Sequence, residues 1–271
     1  MKTGRRELLK FVEYLEAFIR ATAIGMEKPK PYGIFHLSFV LIGVLLCVFA
    51  AYKLRRANEK QNRIVLVSVG VFLMLTEVYK QLFYYFIVGE HSYEWWIFPF
   101  QLCSVPMYLC VIAPLLRPGK LQSGMYHFMS TYNLLGGVMA VIEPSGLLHE
   151  YLPLTLHAFV WHVLLIFIGL YLIVTGRCAK AFPDFRQATY TFLGLATLAF
   201  CINLIFWNVS EGTINMFYVG PRYSPLVVFE QISRSAGWYV STALYLPAVG
   251  LGAFLMYLPA HLYFKKRSGR E

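Results

Sequence analysis

Cys103 and His162 are the two side chains of this sequence whose types suggest covalent chemistry. Cys103 lies in FPFQLCSVPMYLC (98–110) and His162 in HAFVWHVLL (157–165), and both segments are largely apolar. A thiol becomes a strong nucleophile when a neighbouring imidazole takes its proton. The thiolate can then attack an ester carbonyl to give an acyl-thioester, which is discharged by water or by a second hydroxyl, such as that of a lysolipid. The pair therefore predicts ester hydrolysis or acyl transfer.

Further polar side chains lie in neighbouring apolar segments. Glu77, Lys80 and Gln81 are spaced i,i+3 and i,i+4, which puts them on one helical face. A carboxylate and an ammonium inside an apolar helix must pair or face an internal cavity. Three amides join this set as candidate cavity residues, one of them as a donor to a developing oxyanion: Gln101, Asn133 and Asn203.

Each of these residues also has a structural interpretation. Buried amides join helices by hydrogen bonds, Glu77 and Lys80 can form an internal ion pair, and a lone membrane cysteine usually fills space as a small apolar group. The joint occurrence of these residues at one level favours a polar cavity over these separate explanations.

The sequence lacks the motifs of several other kinds of site. It has no HExxH, no CxxC, no P-loop and no GxGxxG, and Asp184 is its only aspartate. His157 and His162 are five residues apart and so do not share a helical face. We therefore expect no metal and no cofactor. The five cysteines lie in apolar segments or in one predicted cytoplasmic loop, so we expect no disulfide framework.

Composition indicates a membrane protein. Hydrophobic residues make up 58% of the 271 and charged residues 14%, against about 45–50% and 25% in soluble domains. The apolar runs are continuous rather than alternating, so they predict helices and not a barrel. The predicted fold class is all-α, a polytopic seven-transmembrane-helix bundle. The seven spans are Phe35–Leu54, Ile64–Val88, Trp96–Leu116, Met125–Ile142, Leu154–Thr175, Ala188–Trp207 and Trp238–Phe264.

Three parts follow along the chain. Residues 1–30 form an amphipathic N-terminal segment, 31–264 the transmembrane domain, and 265–271 a basic cytoplasmic tail. In the first part, RRELLKFVEYLEAFIRA (5–21) alternates apolar and charged residues at helical spacing. This pattern predicts a helix that lies on the membrane surface or packs on the ends of the bundle.

Loop charges predict the orientation. Lysine and arginine concentrate after spans one, three and five and in the tail, whereas the connections after spans two and four carry Glu90, Glu94, Glu143 and Glu150. By the positive-inside rule, the N-terminus lies outside and the C-terminus in the cytoplasm. The membrane would be the plasma membrane in a bacterium and an endomembrane in a eukaryote. The net charge of +10 then reflects topology, and we expect no nucleic-acid partner.

This orientation places the candidate pair at one depth. Cys103 comes eight residues after Trp95, and His162 comes eight residues after Leu154, where spans three and five enter from outside. At 1.5 Å per residue, both lie roughly 12 Å below the outer surface. An ester reachable at that depth is one at the glycerol–acyl boundary of a phospholipid, so membrane lipids are the expected partners.

Several short motifs, in a consistent order, resemble the YwaF-like integral membrane proteins, whose animal relative is transmembrane protein 164. The first two are WxFPFQLC (96–103) and YNLLGG…EP (132–144), followed by the His162 span. NLIFWN…INMF (203–217) and Gly237-Trp238-Tyr239 complete the set. The resemblance covers about residues 35–260.

The resemblance implies a seven-helix fold and a cysteine-dependent phospholipid acyltransferase that moves acyl chains from a donor phospholipid onto lysophospholipids. It implies Cys103 as nucleophile and His162 as the histidine. Asn133, Asn203 and Asn215 match polar positions of the motifs. Many bacterial members have His two residues before the cysteine, where this chain has Gln101, a difference that bears on substrate or activity.

Two other functions are compatible with the sequence. A transporter would line a polar path with Glu77, Lys80 and His162, although no inverted repeat is evident. A ligand-binding seven-helix receptor would use the same outward-facing cavity without catalysis. A retinal protein is disfavoured, because the final span has no lysine before Lys265.

Overall fold

The computed structural model describes residues 2–178 and 180–268, and these residues are predominantly helical, with no strand among them. The helices are α1 (Lys2–Ala21), α2 (Ile34–Lys53), α3 (Glu59–Phe83), α4 (Val105–Ile112), α5 (Lys120–Ser130), α6 (Tyr132–Ile142), α7 (Leu152–Val174), α8 (Phe182–Ile205), α9 (Val227–Ala236) and α10 (Trp238–Ser268). A π-helical turn, Tyr84–Val88, extends α3. The predicted all-α class is confirmed.

Within the described ranges, five helices are long and apolar enough to cross a membrane. They are Ile34–Lys53, Glu59–Val88, Leu152–Val174, Phe182–Ile205 and Trp238–Lys266. They correspond to predicted spans one, two, five, six and seven, and they support membrane localisation.

Predicted span three is not a continuous helix. Residues 98–104 are non-helical, and only α4 and a 3₁₀ turn at Ala113–Leu115 follow them. Pro99 disfavours the helical conformation of the residue before it, and Phe98 has φ −46° and ψ 134°. Pro106 is tolerated because it lies in the first turn of α4, where no helical N–H bond is lost. The prediction of one helix over Trp96–Leu116 is therefore wrong.

Predicted span four is also broken, into α5 and α6. Thr131, between them, has φ −126° and ψ −78°, and its hydroxyl donates to the carbonyl oxygen of His127 (2.7 Å). Ser130 donates to the same carbonyl (3.0 Å). Adjacent hydroxyl side chains compete in this way with the helical ladder. With two spans interrupted, the count of seven transmembrane helices is not confirmed.

Helix α7 is the centre of the bundle and contacts α2, α3, α5 and α6. Small residues permit these close approaches, as is usual between membrane helices. A Cβ on Gly137 of α6 would lie 3.1 Å from the carbonyl oxygen of His162, and one on Gly169 of α7 would lie 2.8 Å from Cβ of Leu134. The α6–α7 contact therefore depends on both glycines.

The predicted N-terminal helix is present as α1 and packs on the bundle by its last turns. Ile19 is buried against Phe83 and Phe86, and the Thr22 hydroxyl lies 2.8 Å from the Tyr79 hydroxyl. Along its length the helix exposes a set of apolar side chains: Leu8, Leu9, Phe11, Val12 and Phe18. This exposed face supports a position at the membrane surface.

The connection between α8 and α10 enters the bundle. Ile214, Met216 and Phe217 are fully buried in the main core, and α9 follows near the surface with Val227 and Val228 exposed. The C-terminal helix runs to Ser268. Residues 269–271 of the predicted basic tail, including Arg270, lie outside the described residues.

Candidate functional site

Cys103 lies in the turn 101–104, where the third predicted span loses its helix. The Ser104 N–H donates to the carbonyl oxygen of Gln101 (2.8 Å) and closes this turn. The indole N–H of Trp161, on α7, donates to the carbonyl oxygen of Cys103 (2.9 Å). The thiol is free and half-buried at the edge of the main core. Non-helical backbone at this position is tolerated because protein groups satisfy it.

His162 directly follows the tryptophan that holds the Cys103 turn. Its Nδ1 lies 2.7 Å from the carbonyl oxygen of Ala158, one turn earlier in α7. A carbonyl only accepts, so Nδ1 of the neutral ring carries the proton and Nε2 carries the lone pair. Nε2 makes no hydrogen bond to any residue that the structure describes. His162 therefore presents a nitrogen lone pair without a partner in the described part of the chain.

Cys103 and His162 lie within about one helical turn of the same level, because Trp161 bonds directly to the Cys103 carbonyl. The depth count made along span three does not hold, since residues 98–104 are not helical. No hydrogen bond joins the thiol to the imidazole in the described part of the chain. The structure thus brings the two residues to one region without closing a proton-transfer contact.

Glu77 and Lys80 form the ion pair that their spacing predicts. Lys80 Nζ lies 2.8 Å from Glu77 Oε1, and both side chains are largely buried. The Gln81 amide donates to the same carboxylate oxygen (2.7 Å) and to the carbonyl oxygen of Ile97 (2.8 Å). The three residues thereby attach α3 to the turn that precedes Cys103.

Lys80 is a positively charged side chain close to several of the candidate residues. It lies within electrostatic range of Cys103, His157 and His162. His149, in the loop before α7, is also in range; burial, followed by the charges of Lys28 and Lys80, lowers the pKa of its imidazole. Buried imidazoles beside a fixed cation are favoured in the neutral form.

Gln101 and Asn203 hold the buried loop that follows α8. The Gln101 amide donates to the Asn215 carbonyl oxygen (3.1 Å) and accepts from the Phe217 N–H (3.0 Å). Asn203 donates to the carbonyl oxygens of Met216 (3.0 Å) and Val219 (3.1 Å) and accepts from the Met216 N–H (2.7 Å). Both amides serve backbone groups, so Asn203 has no donor left for a reacting oxyanion.

The loop held by these amides is strained next to the thiol. Phe217 (φ 54°) and Tyr218 (φ 56°) are consecutive residues in the left-handed region, which costs a bulky residue of order 1–3 kcal/mol. Tyr218 and Tyr245, whose rings meet edge to face at 6.2 Å, are both within electrostatic range of Cys103. Neither phenol hydroxyl bonds to a described residue. Strain that is maintained beside unpaired polar groups is typical of functional sites.

The two remaining predicted amides have partly satisfied side chains. Asn133 donates to the carbonyl oxygens of Met129 and Leu165 (both 3.1 Å), and so joins α6 to α7. Asn215 donates weakly to the Tyr223 carbonyl oxygen (3.4 Å). The side-chain oxygen of each is buried without a partner among the described residues. Asn133 lies at the α6–α7 contact and Asn215 at the loop, so they do not form one cluster.

Four residues of this region were not predicted: Trp161, His157, Tyr218 and Tyr245. Trp161 carried a usable signal, since a mid-span indole must find an acceptor. His157, which packs on Trp161 (5.3 Å between ring centroids), was considered only as a metal ligand. Tyr218 had no signal, because nothing in the sequence indicates that the loop after α8 turns inward. Within the described ranges, no group of three or more His, Cys, Asp or Glu side chains could hold a metal ion.

Comparison with known families decides the affiliation of the chain. The model of the TMEM164 family matches residues 31–257, which include every candidate residue discussed above. The chain belongs to the TMEM164 family. Searches of curated proteins and of solved structures give no significant match. Family membership and the five long apolar helices together identify a membrane protein, while the likeness to YwaF-like proteins stays a prediction.

Proposed function

We propose that this TMEM164 family member is a membrane lipid acyltransferase or hydrolase that acts on a phospholipid ester, with Cys103 as nucleophile and His162 as base. The observation that carries the proposal is the 2.7 Å contact between His162 Nδ1 and the Ala158 carbonyl oxygen, from which we assign the tautomer. The Ala158 carbonyl fixes the proton on Nδ1 and leaves the Nε2 lone pair free, near the level of a free thiol.

In the proposed reaction, His162 Nε2 takes the Cys103 thiol proton, directly or through one water. The thiolate sulfur attacks the ester carbonyl carbon, and the tetrahedral intermediate collapses with cleavage of the carbon–oxygen ester bond. The leaving lysophospholipid oxygen takes the proton back from His162. An acceptor hydroxyl, deprotonated by Nε2, then attacks the thioester carbonyl carbon, the carbon–sulfur bond breaks, and the departing thiolate takes the proton from His162. The acceptor is water in a hydrolase and a lysophospholipid in an acyltransferase.

The surrounding groups stabilise charge during these steps. The Ala158 carbonyl favours the imidazolium that forms when Nε2 is protonated, because it accepts from Nδ1–H. Lys80 favours the thiolate, at a strength reduced by its pair with Glu77. The hydroxyls of Tyr218 and Tyr245 can donate to the oxyanion, and so can the second N–H of the Gln101 amide, which donates only one bond, to the Asn215 carbonyl oxygen. No cofactor enters the scheme.

The proposed orientation remains the one given by loop charge, with the N-terminus outside and the C-terminus in the cytoplasm. The site then opens towards the outer leaflet, and donor phospholipid and lysophospholipid reach it laterally from that leaflet. Residues 31–264 act as one membrane domain in this scheme, with 1–30 on the membrane surface.

The test is capture of the acyl-enzyme. Purified full-length protein is incubated with a phospholipid whose acyl chain carries an alkyne tag, and protein-bound acyl groups are detected on gels. We expect labelling that neutral hydroxylamine removes, as it does for a thioester, and that the Cys103→Ala variant lacks. Added lysophospholipid should discharge the label if the enzyme is an acyltransferase.

The matched control is Cys110→Ala, which alters a fully buried cysteine whose thiol hydrogen-bonds to the Met129 sulfur. It should be labelled like the wild type. Equal labelling of Cys103→Ala and wild type, or no labelling of the wild type, would contradict the proposal. Electrogenic flux abolished by Glu77→Gln but unaffected by Cys103→Ala would instead favour the transporter alternative.

A further inference from the structure

A groove lies at the opposite end of the bundle from Cys103, between the end of α2 and the start of α3. It has a volume of about 260 Å³. Lys53, Arg56 and Gln61 provide its polar wall, and its apolar floor includes Leu54, Ile64 and Val65. We call this feature the basic groove. Two cations next to an apolar surface complement the chemistry of an anionic lipid, which has a negatively charged headgroup and apolar chains.

The cations of the basic groove are not neutralised by the protein. Glu59 is the only carboxylate in residues 53–63, and it pairs with Arg177 (3.0 Å). Lys53 Nζ lies 5.4 Å from the centroid of the Phe49 ring. No carboxylate contacts Lys53 or Arg56 in the described part of the chain. The groove therefore has a positive charge that an anion would complement.

Two neighbouring arginines, unlike Arg56, have interaction partners within the protein. Arg55 lies 3.8 Å from the Tyr52 ring centroid and donates to the Tyr52 carbonyl oxygen (2.8 Å). Arg63 donates to the carbonyl oxygen of Pro114 (3.3 Å). Both are thus engaged, in contrast to Arg56. The Gln61 side-chain oxygen accepts from the Asn58 N–H (2.9 Å), so its NH₂ remains available as a donor.

The position of the groove selects a lipid over a soluble anion. The apolar stretch of α2 ends at Lys53, and that of α3 begins near Ile64. Exposed apolar side chains, including Phe49, Tyr52 and Ile64, continue directly from the groove along the two membrane helices. A phosphate held by the cations would lie at headgroup level, with its acyl chains beside this surface. Basic sites between helices at this level are known to favour anionic lipids.

We propose that the basic groove is a binding site for the phosphate headgroup of an anionic phospholipid, held by Lys53, Arg56 and the Gln61 amide. The site lies at the other end of the bundle from Cys103 and does not depend on catalysis there. Its role is recognition of the surrounding leaflet, and the bound lipid is not a substrate.

The test uses native mass spectrometry of the full-length protein with diether phosphatidylglycerol, which has no ester for Cys103 to attack. Dissociation constants are compared for wild type, for Lys53→Gln with Arg56→Gln, and for Lys265→Gln with Lys266→Gln. The last pair removes the same charge at the same end of the bundle, outside the groove. We expect at least tenfold weaker binding in the groove variant and less than twofold in the control. Thermal unfolding verifies that each variant is folded.

Each other outcome overturns the inference. Equal weakening in both double variants would indicate diffuse charge, and unchanged binding in the groove variant would exclude the site. Diether phosphatidylcholine that binds the wild type as tightly as phosphatidylglycerol would remove the preference for an anionic headgroup. If inorganic phosphate binds as tightly as the lipid, the ligand is a soluble anion.

Discussion

Two polar regions at opposite ends of the bundle use their hydrogen bonds differently. At the end where α7 finishes, the Asn62 amide donates to the Tyr126 hydroxyl and accepts from the Tyr171 hydroxyl, both at 3.1 Å. These side chains project from regular helices and satisfy one another. At the other end, Gln101 and Asn203 satisfy the backbone of broken segments.

The two regions differ in whether polar side-chain atoms are left without a hydrogen-bond partner. The Asn62–Tyr126–Tyr171 group leaves no side-chain polar atom without a partner and acts as interhelical attachment. In the Cys103 region the amides bind the loop backbone, whereas the His162 Nε2 and the Tyr218 hydroxyl have no hydrogen-bond partner among the described residues. A backbone that is costly to maintain and leaves reactive groups available is more readily explained by function than by stability.

The largest effect is expected from His162→Gln. Loss of the base should lower the rate of acyl-enzyme formation by about 10²–10⁴-fold. The free energy of unfolding should fall by only about 1 kcal/mol, because the one hydrogen bond lost is that from Nδ1 to the Ala158 carbonyl oxygen. Labelling kinetics with the tagged phospholipid measure the rate.

The matched control for this variant is His36→Gln. His36 is also buried in the membrane domain, but its Nδ1 accepts from the Tyr32 N–H (3.0 Å) and its Nε2 lies 3.0 Å from the Val141 carbonyl oxygen. Both nitrogens are occupied, so this substitution should reduce stability and leave the rate unchanged. A similar rate loss in the two variants would remove the distinction between them.

The next effect is on stability. Asn203→Leu removes three hydrogen bonds and leaves the Met216 N–H buried without an acceptor, which should cost about 2–4 kcal/mol. Labelling should fall as well, because the strained loop carries Tyr218. Chemical unfolding in detergent measures the first effect. An Asn203→Leu protein as stable as wild type would show that the loop is held by packing alone.

Features set by residues close together in the sequence were predicted correctly, whereas features set by tertiary contacts were not. Apolar length and composition predicted seven spans, and five of these are present as long helices; the N-terminal amphipathic helix was also predicted, because these properties are local. The spacing of Glu77 and Lys80 predicted their ion pair for the same reason. Pro99 and Pro106 were the available signals against a continuous third span, and hydropathy outweighed them.

The candidate site was less accessible from sequence. Cys103 and His162 were placed at one level by a count along a helix that is absent, and it is the Trp161 hydrogen bond that brings them level. Gln101 and Asn203 were recognised as polar residues of one region, but their common partner is a loop whose inward course depends on tertiary contacts. No local sequence pattern predicts the conformation of such a loop.

The smallest effects are expected from substituting one tyrosine in each of the two polar regions, and these two variants compare the regions most directly. Tyr171→Phe removes one hydrogen bond, to Asn62, and should cost about 1 kcal/mol of unfolding free energy with no change in labelling rate. Tyr218→Phe removes a hydroxyl with no partner among the described residues, so stability should be unchanged. Its labelling rate should fall about tenfold or more if this hydroxyl donates to the oxyanion. Because each substitution deletes a single oxygen from a tyrosine in the same bundle, the two results can be compared directly. A Tyr218→Phe variant with full activity would return this hydroxyl to a packing role and leave Tyr245 and the Gln101 amide as the donors to the oxyanion.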